Sequence, residues 1–187
     1  MNSENSTISR PDQILAFWRA AGPDKWFERD DAFDAEIRAK FLGVYEAAAA
    51  GKLDDWQSTA DGTLALLVLL DQFPRNLFRG TARAFATDDA ARAIAERAIA
   101  RGFDRRFALP ERRFFYLPLM HSENLADQER CLALCREAGD VEGAKYAELH
   151  ADVIRRFGRF PGRNAALGRE PTEQERAFLQ AGGAGFD

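Results

Sequence analysis

Histidine, cysteine and lysine are scarce in this chain: two histidines, two cysteines, and lysine only at Lys25, Lys40, Lys52 and Lys145. Cys131 and Cys135 lie four apart in a helical pattern, where Cβ atoms stand roughly 5–6 Å apart, beyond the usual disulfide separation of about 3.5–4.5 Å. They are expected to be free thiols packed as small hydrophobes, and no further cysteine completes a metal-ligand set. There is no surplus of positive charge: the net charge is −4 and the pI near 5.4, so neither nucleic acid nor an anionic membrane surface is an expected partner. No apolar run approaches the roughly 20 residues needed to span a bilayer. Met1 to Ile8 lacks the basic-then-apolar order of a signal peptide, and a reducing cytoplasm is the expected location.

Familiar catalytic signatures are missing too. The sequence has no Gly-x-Ser-x-Gly elbow, no His-Glu-x-x-His pair, and no Walker or dinucleotide glycine pattern. No credible alternating strand occurs, which leaves an all-α chain.

What the sequence does contain is a dense apolar run followed by concentrated polar chemistry. Leu64 to Leu70 is apolar on every side, so it is expected to form a central helix covered all round by others. It runs into Asp71-Gln72-Phe73-Pro74-Arg75-Asn76-Leu77-Phe78-Arg79. Phe73-Pro74 is expected to close the helix, because proline has no N–H to give and restrains its predecessor. Asp71 would then sit at the negative end of the macrodipole, where a carboxylate calls for a compensating cation. A guanidinium from Arg75, Arg79, Arg159 or Arg163 is the expected partner. A second stretch, Phe157-Gly158-Arg159-Phe160-Pro161-Gly162-Arg163-Asn164, repeats the pattern of a helix end, Phe-Pro and Arg-Asn.

The other helices follow from punctuation. Pro11 opens a first helix that carries Ile14, Leu15 and Trp18 and is expected to stop at Gly22-Pro23. Asp30 or Asp31 caps a second, striped by Phe33, Ile37, Phe41, Val44 and Tyr45 and ending at Gly51. Ser58-Thr59-Ala60-Asp61 reads as a helix start with an early acid and launches the central helix, and Gly62 near its beginning marks close packing. Thr87 is expected to cap the helix opened by Asp88 and Asp89. Further helices run from about Leu125 to Gly139, from a cap at Asp140 through His150 and Phe157, and from a Thr172–Glu175 capping box. The expected architecture is a single all-α domain of about eight helices over residues 9–180, with a disordered segment over 1–8 and a flexible glycine-rich tail over 181–187.

Three segments in order, Leu70 to Asn76, Met120-His121-Ser122-Glu123, and Phe157 to Asn164, resemble the marker segments of a bacterial family known as domain of unknown function number 924. The resemblance runs from about Pro11 to Gln180 and includes Phe17-Trp18 and Trp26-Phe27. It implies a helical fold related to the tetratricopeptide-like superfamily and supplies no catalytic residues. One departure is Gly162, where the family's second loop usually carries histidine.

The candidate site residues are the polar members of these segments: Asp71, Gln72, Arg75, Asn76 and Arg79; His121 and Glu123; and His150, Arg159, Arg163 and Asn164. One reading is structural, with Asp71 and the arginines locking the two loops through charge-assisted hydrogen bonds. A second is a binding module in which arginines and amides hold a small anionic ligand or a peptide. A third is an enzyme on a phosphate- or carboxylate-bearing substrate, with His121 or His150 as acid/base beside Glu123. His121, Glu123 and His150 with Asp71 or Asp152 barely suffice for a metal, and Ser122 lacks a nucleophile's setting, so no cofactor is expected.

Overall fold

The computed structural model describes residues 10–183, and every regular element among them is helical. α1 (Pro11–Phe27) opens on proline, but Gly22-Pro23 kinks it instead of ending it: Gly22 takes φ 76° and ψ 170°, and the chain resumes a further helical turn through Phe27. Pro23 at the start of that turn needs no donor of its own. The kink folds Trp26 back, so that its indole N–H donates to the Trp18 carbonyl at 2.6 Å and the two rings stack. α2 (Asp31–Ala49) is capped by Asp30, whose carboxylate accepts from the amides of Ala32 and Phe33 at 2.9 and 3.0 Å.

The central helix, α3, is one continuous element in three parts: Ala60–Leu67, a π-helical turn over Val68–Gln72, and Phe73–Leu77. Thr59 Oγ1 accepts from the Gly62 amide at 3.1 Å to start it. A Cβ at Gly62 would strike the Trp56 carbonyl, so only glycine fits there. Leu64 to Leu70 are all buried. α1, α2 and α4 (Asp88–Ala100) pack directly on α3, as a helix apolar all round requires.

The expected stop at Phe73-Pro74 does not occur, for two reasons. The π turn widens the helix so that the Phe73 amide bonds the Val68 carbonyl, five residues back. Pro74 then leaves the Leu70 carbonyl without its helical donor, and the Thr87 hydroxyl supplies one at 2.6 Å. Thr87 therefore serves Leu70 and does not cap α4 with its side chain. Asp71 sits inside the π turn, not at a helix end.

Short 3-10 turns lead to α5 (Leu117–Met120), with Pro118 in its first turn. α6 (Leu125–Glu137) is capped by Asn124, α7 (Val141–Phe157) by Asp140, and α8 (Glu173–Gln180) by the Thr172–Glu175 box that the spacing predicts. Gly158 ends α7 in the left-handed region at φ 68°, where glycine carries no Cβ penalty. These eight helices enclose one main core rich in aromatic rings, with Val153, Ile154 and Phe160 as a small satellite under the second Phe-Pro loop. No described helix is long and apolar enough to cross a membrane. The disorder expected over residues 1–8, and that of the tail from residue 184 on, lie outside the described residues. The tail's first part is tied down, the Gly183 amide bonding the Phe178 carbonyl at 2.9 Å.

Thr87→Val keeps the shape but removes the hydroxyl, leaving a buried carbonyl unpaired at a cost of about 1–3 kcal/mol. Urea unfolding should show that loss, with Thr87→Ser closer to wild type. Equal stability of all three proteins would mean that Leu70 does not depend on Thr87.

Candidate functional site

Gln72, Arg75, Asn76 and Arg79 follow a helical i, i+3, i+4, i+7 spacing along the end of α3, so they share one face. All four line a cavity of about 780 Å³, within the usual range for small-molecule pockets. Trp26 and Phe27 from the kinked end of α1 form another wall, with Leu117, Met120 and His121 from α5 and its exit, and Tyr146 and His150 from α7. The kink at Gly22 and the π turn are thus the two backbone irregularities that shape it.

Asp71 lies behind this wall and does not line the cavity; it is 1% exposed. Its Oδ1 accepts from His121 Nδ1 at 2.8 Å and its Oδ2 from Gln72 Nε2 at 2.6 Å. The expected guanidinium is Arg75, with Nη1 3.6 Å from Oδ1; it also donates to the Asp71 carbonyl. Burial alone would push the Asp71 carboxyl up, but the facing charges and the hydrogen bonds hold it below the usual carboxylate range. Burial, and then the charge of Arg75, carry His121 below its ordinary value despite Asp71. At neutral pH the pair is therefore an ionised Asp71 and a neutral His121 protonated on Nδ1. Nε2 makes no hydrogen bond among the described residues.

His150 is neutral as well. Burial pushes it down to about 3, and the nearby cationic groups add to that. Its Nδ1 lies 2.8 Å from the Tyr146 carbonyl, which only accepts, so that nitrogen carries the proton.

The guanidiniums are matched by carboxylates. Arg75 makes a two-pronged contact with Asp88 at 3.0 and 3.0 Å. Arg163 reaches the same Asp88 at 3.4 Å and donates to the His121 carbonyl at 3.0 Å, tying the second loop to the first. Burial lowers the Arg163 guanidinium to about 10, still charged at neutral pH. Asp34 in α2 receives Asn76 at 2.7 Å and Arg79 at 3.0 and 3.1 Å.

Glu123, Arg159 and Asn164 do not join this group. Glu123 is gripped by Arg169 at 2.7 and 2.9 Å and accepts from the Phe160 amide at 2.8 Å. Arg159 and Asn164 both hold Glu175, which the Arg159 guanidinium lowers to about 2. This second network fastens the loop to α8. The histidine's acidic partner is Asp71, not Glu123. Gly162, the departure from the family's histidine, lies between buried Pro161 and Arg163.

Four acids and bases that complete these networks are absent from the sequence candidates: Asp34, Asp88, Arg169 and Glu175. Asp34 and Asp88 stand in first helical turns, where an acid is explained by the helix alone, and Glu175 reads as a capping-box residue, which it also is. Ser122 donates to Asp127 at 2.6 Å and accepts from Arg92 and from the Asn124 amide at 3.1 Å each, in the turn before α6. Cys131 and Cys135 are free and buried. Among the described residues no group of three or more His, Cys, Asp or Glu is placed to hold a metal ion. A second hollow of about 270 Å³, beside Thr63 and Ile94, carries neither histidine nor carboxylate.

The two histidines, the chain's only ones, are both depressed, so the unfolded chain binds protons that the fold refuses. Their contribution is complete above about pH 6.5 and is lost as pH falls toward 3. His150 alone accounts for roughly 2 kcal/mol between pH 7 and pH 5. Denaturant unfolding across that window should show the loss, and His150→Gln should flatten it; a pH-independent wild type would contradict this.

No curated protein matches the sequence. A solved structure of a protein of unknown function from Agrobacterium tumefaciens is 47% identical, covers 91% of this chain and 97% of its own, and superposes with a TM-score of 0.88. The family model described as "Bacterial protein of unknown function (DUF924)" matches residues 14–183, and the chain belongs to that family.

Proposed function

We propose that the cavity between α1, α3, α5 and α7 is a small-molecule site and that His121 is its working group, a neutral base that takes a proton from a bound hydroxyl or water. The observation that carries this reading is the Asp71–His121 pair. A general base must be unprotonated at working pH and have its lone pair turned toward the reactant. Asp71 holds the proton on Nδ1 at 2.8 Å, which leaves Nε2 bare on a residue that lines the cavity. The same carboxylate stabilises the imidazolium once the proton has moved, as the acid of a catalytic triad does.

Binding without chemistry, to a small ligand or to a peptide on the surface of the helical array, is the second reading. It is supported by the make-up of the cavity, an apolar wall of Trp26, Phe27, Leu117 and Met120 beside a few polar groups. The anionic ligand expected from the arginines finds less support, because Arg75 and Arg163 are matched by Asp88 and Arg79 by Asp34. Asp24, Glu28 and Glu142 line the cavity too and would repel an anion. A reducing, cytoplasmic setting belongs to the proposal and agrees with two buried free thiols.

Thermal-shift screening against a metabolite library separates these readings. A ligand at about a hundredfold excess over its Kd adds about 2.7 kcal/mol, several degrees in Tm for a chain of this size. The ligand should raise the Tm of wild type and lose that effect in His121→Gln, while the free variant melts cooperatively. A ligand that stabilises His121→Gln equally would take His121 out of the site.

A further inference from the structure

The hydrogen-bond polarity of the cavity wall is set by carboxylates behind it. An ionised carboxylate only accepts. Asp71 therefore fixes N–H on the near side of both His121 and Gln72, at 2.8 and 2.6 Å, and Asp34 does the same for Asn76 at 2.7 Å. These three contacts settle one imidazole tautomer and two amide orientations without reference to hydrogen positions. The opposite atoms are His121 Nε2, Gln72 Oε1 and Asn76 Oδ1. Each is an acceptor, each is without a hydrogen bond among the described residues, and each belongs to a residue lining the cavity. Gln72 and Asn76 stand one turn apart on α3, about 6 Å along the axis, so the acceptors form a row. Beside the row is a donor: Arg79 spends Nε and Nη2 on Asp34 and keeps Nη1.

We infer that the ligand is a neutral, polyhydroxylated small molecule of the sugar or polyol class, an inference that rests on the cavity being a ligand site. A row of acceptors selects a ligand that donates, which means hydroxyl or ammonium groups. Charges of both signs line the walls, Arg29, Arg75, Arg79 and Arg113 against Asp24, Glu28 and Glu142, so neither an ammonium nor an anion is singled out by them. A carboxylate has no O–H to give, and a phosphate at neutral pH has one or two at most beside its unprotonated oxygens; either would set those oxygens against the acceptors while the guanidiniums are already held by Asp88, Asp34 and Asp140. A hydroxyl fits both halves of the wall, donating to Asn76 Oδ1 and accepting from Arg79 Nη1. It is uncharged, so it enters a half-enclosed site without an ion's desolvation cost. Trp26 and Phe27 add apolar ring surface to the wall for the C–H groups between the hydroxyls. The hydroxyl that reaches His121 Nε2 is then the one whose proton the base takes.

The test is an NMR titration of the full chain, uniformly 15N-labelled, with four probes: myo-inositol, glucose, putrescine and inorganic phosphate. The neutral polyols should shift the His121 ring and the Gln72 and Asn76 side-chain amide signals, and the charged probes should not. Asn76→Leu should weaken polyol binding about fivefold, the loss of one hydrogen bond; if that variant fails to fold, Arg79→Gln at the half-exposed end of the row makes the same comparison. Preferential binding of phosphate or putrescine at these signals overturns the ligand class and leaves the cavity a site. No perturbation of cavity signals by any probe overturns both the class and the site.

Discussion

An ionised carboxylate buried in the middle of the central helix is the constraint on which this structure turns. Asp71 is 1% exposed, and a charge there is tolerable only if every lone pair has a partner. The π turn makes that possible. By widening the helix between Val68 and Gln72 it lets Gln72 fold back onto its neighbour's carboxylate, while Arg75 reaches from the next turn and His121 from α5. The same widening carries the chain past Pro74, at the cost of the Leu70 carbonyl, which Thr87 then satisfies. One acid thus connects α3 to α5 through His121, and Arg75 and Arg163 extend the connection through Asp88 to α4 and the second loop.

The two Arg-Asn loops look alike in sequence and do different work. The first lies along a cavity, and its polar groups face inward from carboxylates that orient them. The second is held by Glu123, Arg169 and Glu175, with Arg159 and Asn164 spent on fastening α8 to the loop. Arg163 is the link between them: it leaves the second loop, lies over the Phe85 and Phe160 rings at 4.7 and 4.5 Å, and ends on the His121 carbonyl. Losing this second network would therefore reach the cavity wall at His121, through its backbone carbonyl.

Much of this was legible in the sequence. Helix starts followed from Asp30 or Asp31, from the stretch Ser58 to Asp61, and from Asp140 and Thr172, and helix faces from the apolar stripes, because those signals are local; Asp30 and Thr59 are the side chains that cap the first two. The buried run from Leu64 to Leu70 marked the centre, because a segment apolar all round has to be covered. What escaped was non-local. Proline at 74 announces a helix end, and the π turn before it together with the Thr87 hydroxyl, seventeen residues from the Leu70 carbonyl it serves, makes continuation possible. Glu123 stands two residues from His121, yet the fold turns it toward Arg169; Asp71, fifty residues off, is the histidine's partner. Asp34 and Asp88 read as ordinary first-turn acids, since nothing in a single helix shows which distant guanidinium will reach it.

The central claim is that Asp71 fixes His121 as a neutral imidazole with its basic nitrogen toward the cavity. Its most direct test is the tautomeric state of His121 by 15N NMR of histidine-labelled protein at pH 7, in wild type and in Asp71→Asn. The account predicts a protonated Nδ1 and a bare Nε2 in wild type, with that preference lost in the variant. A protonated Nε2 in wild type, or a doubly protonated ring at pH 7, would contradict it.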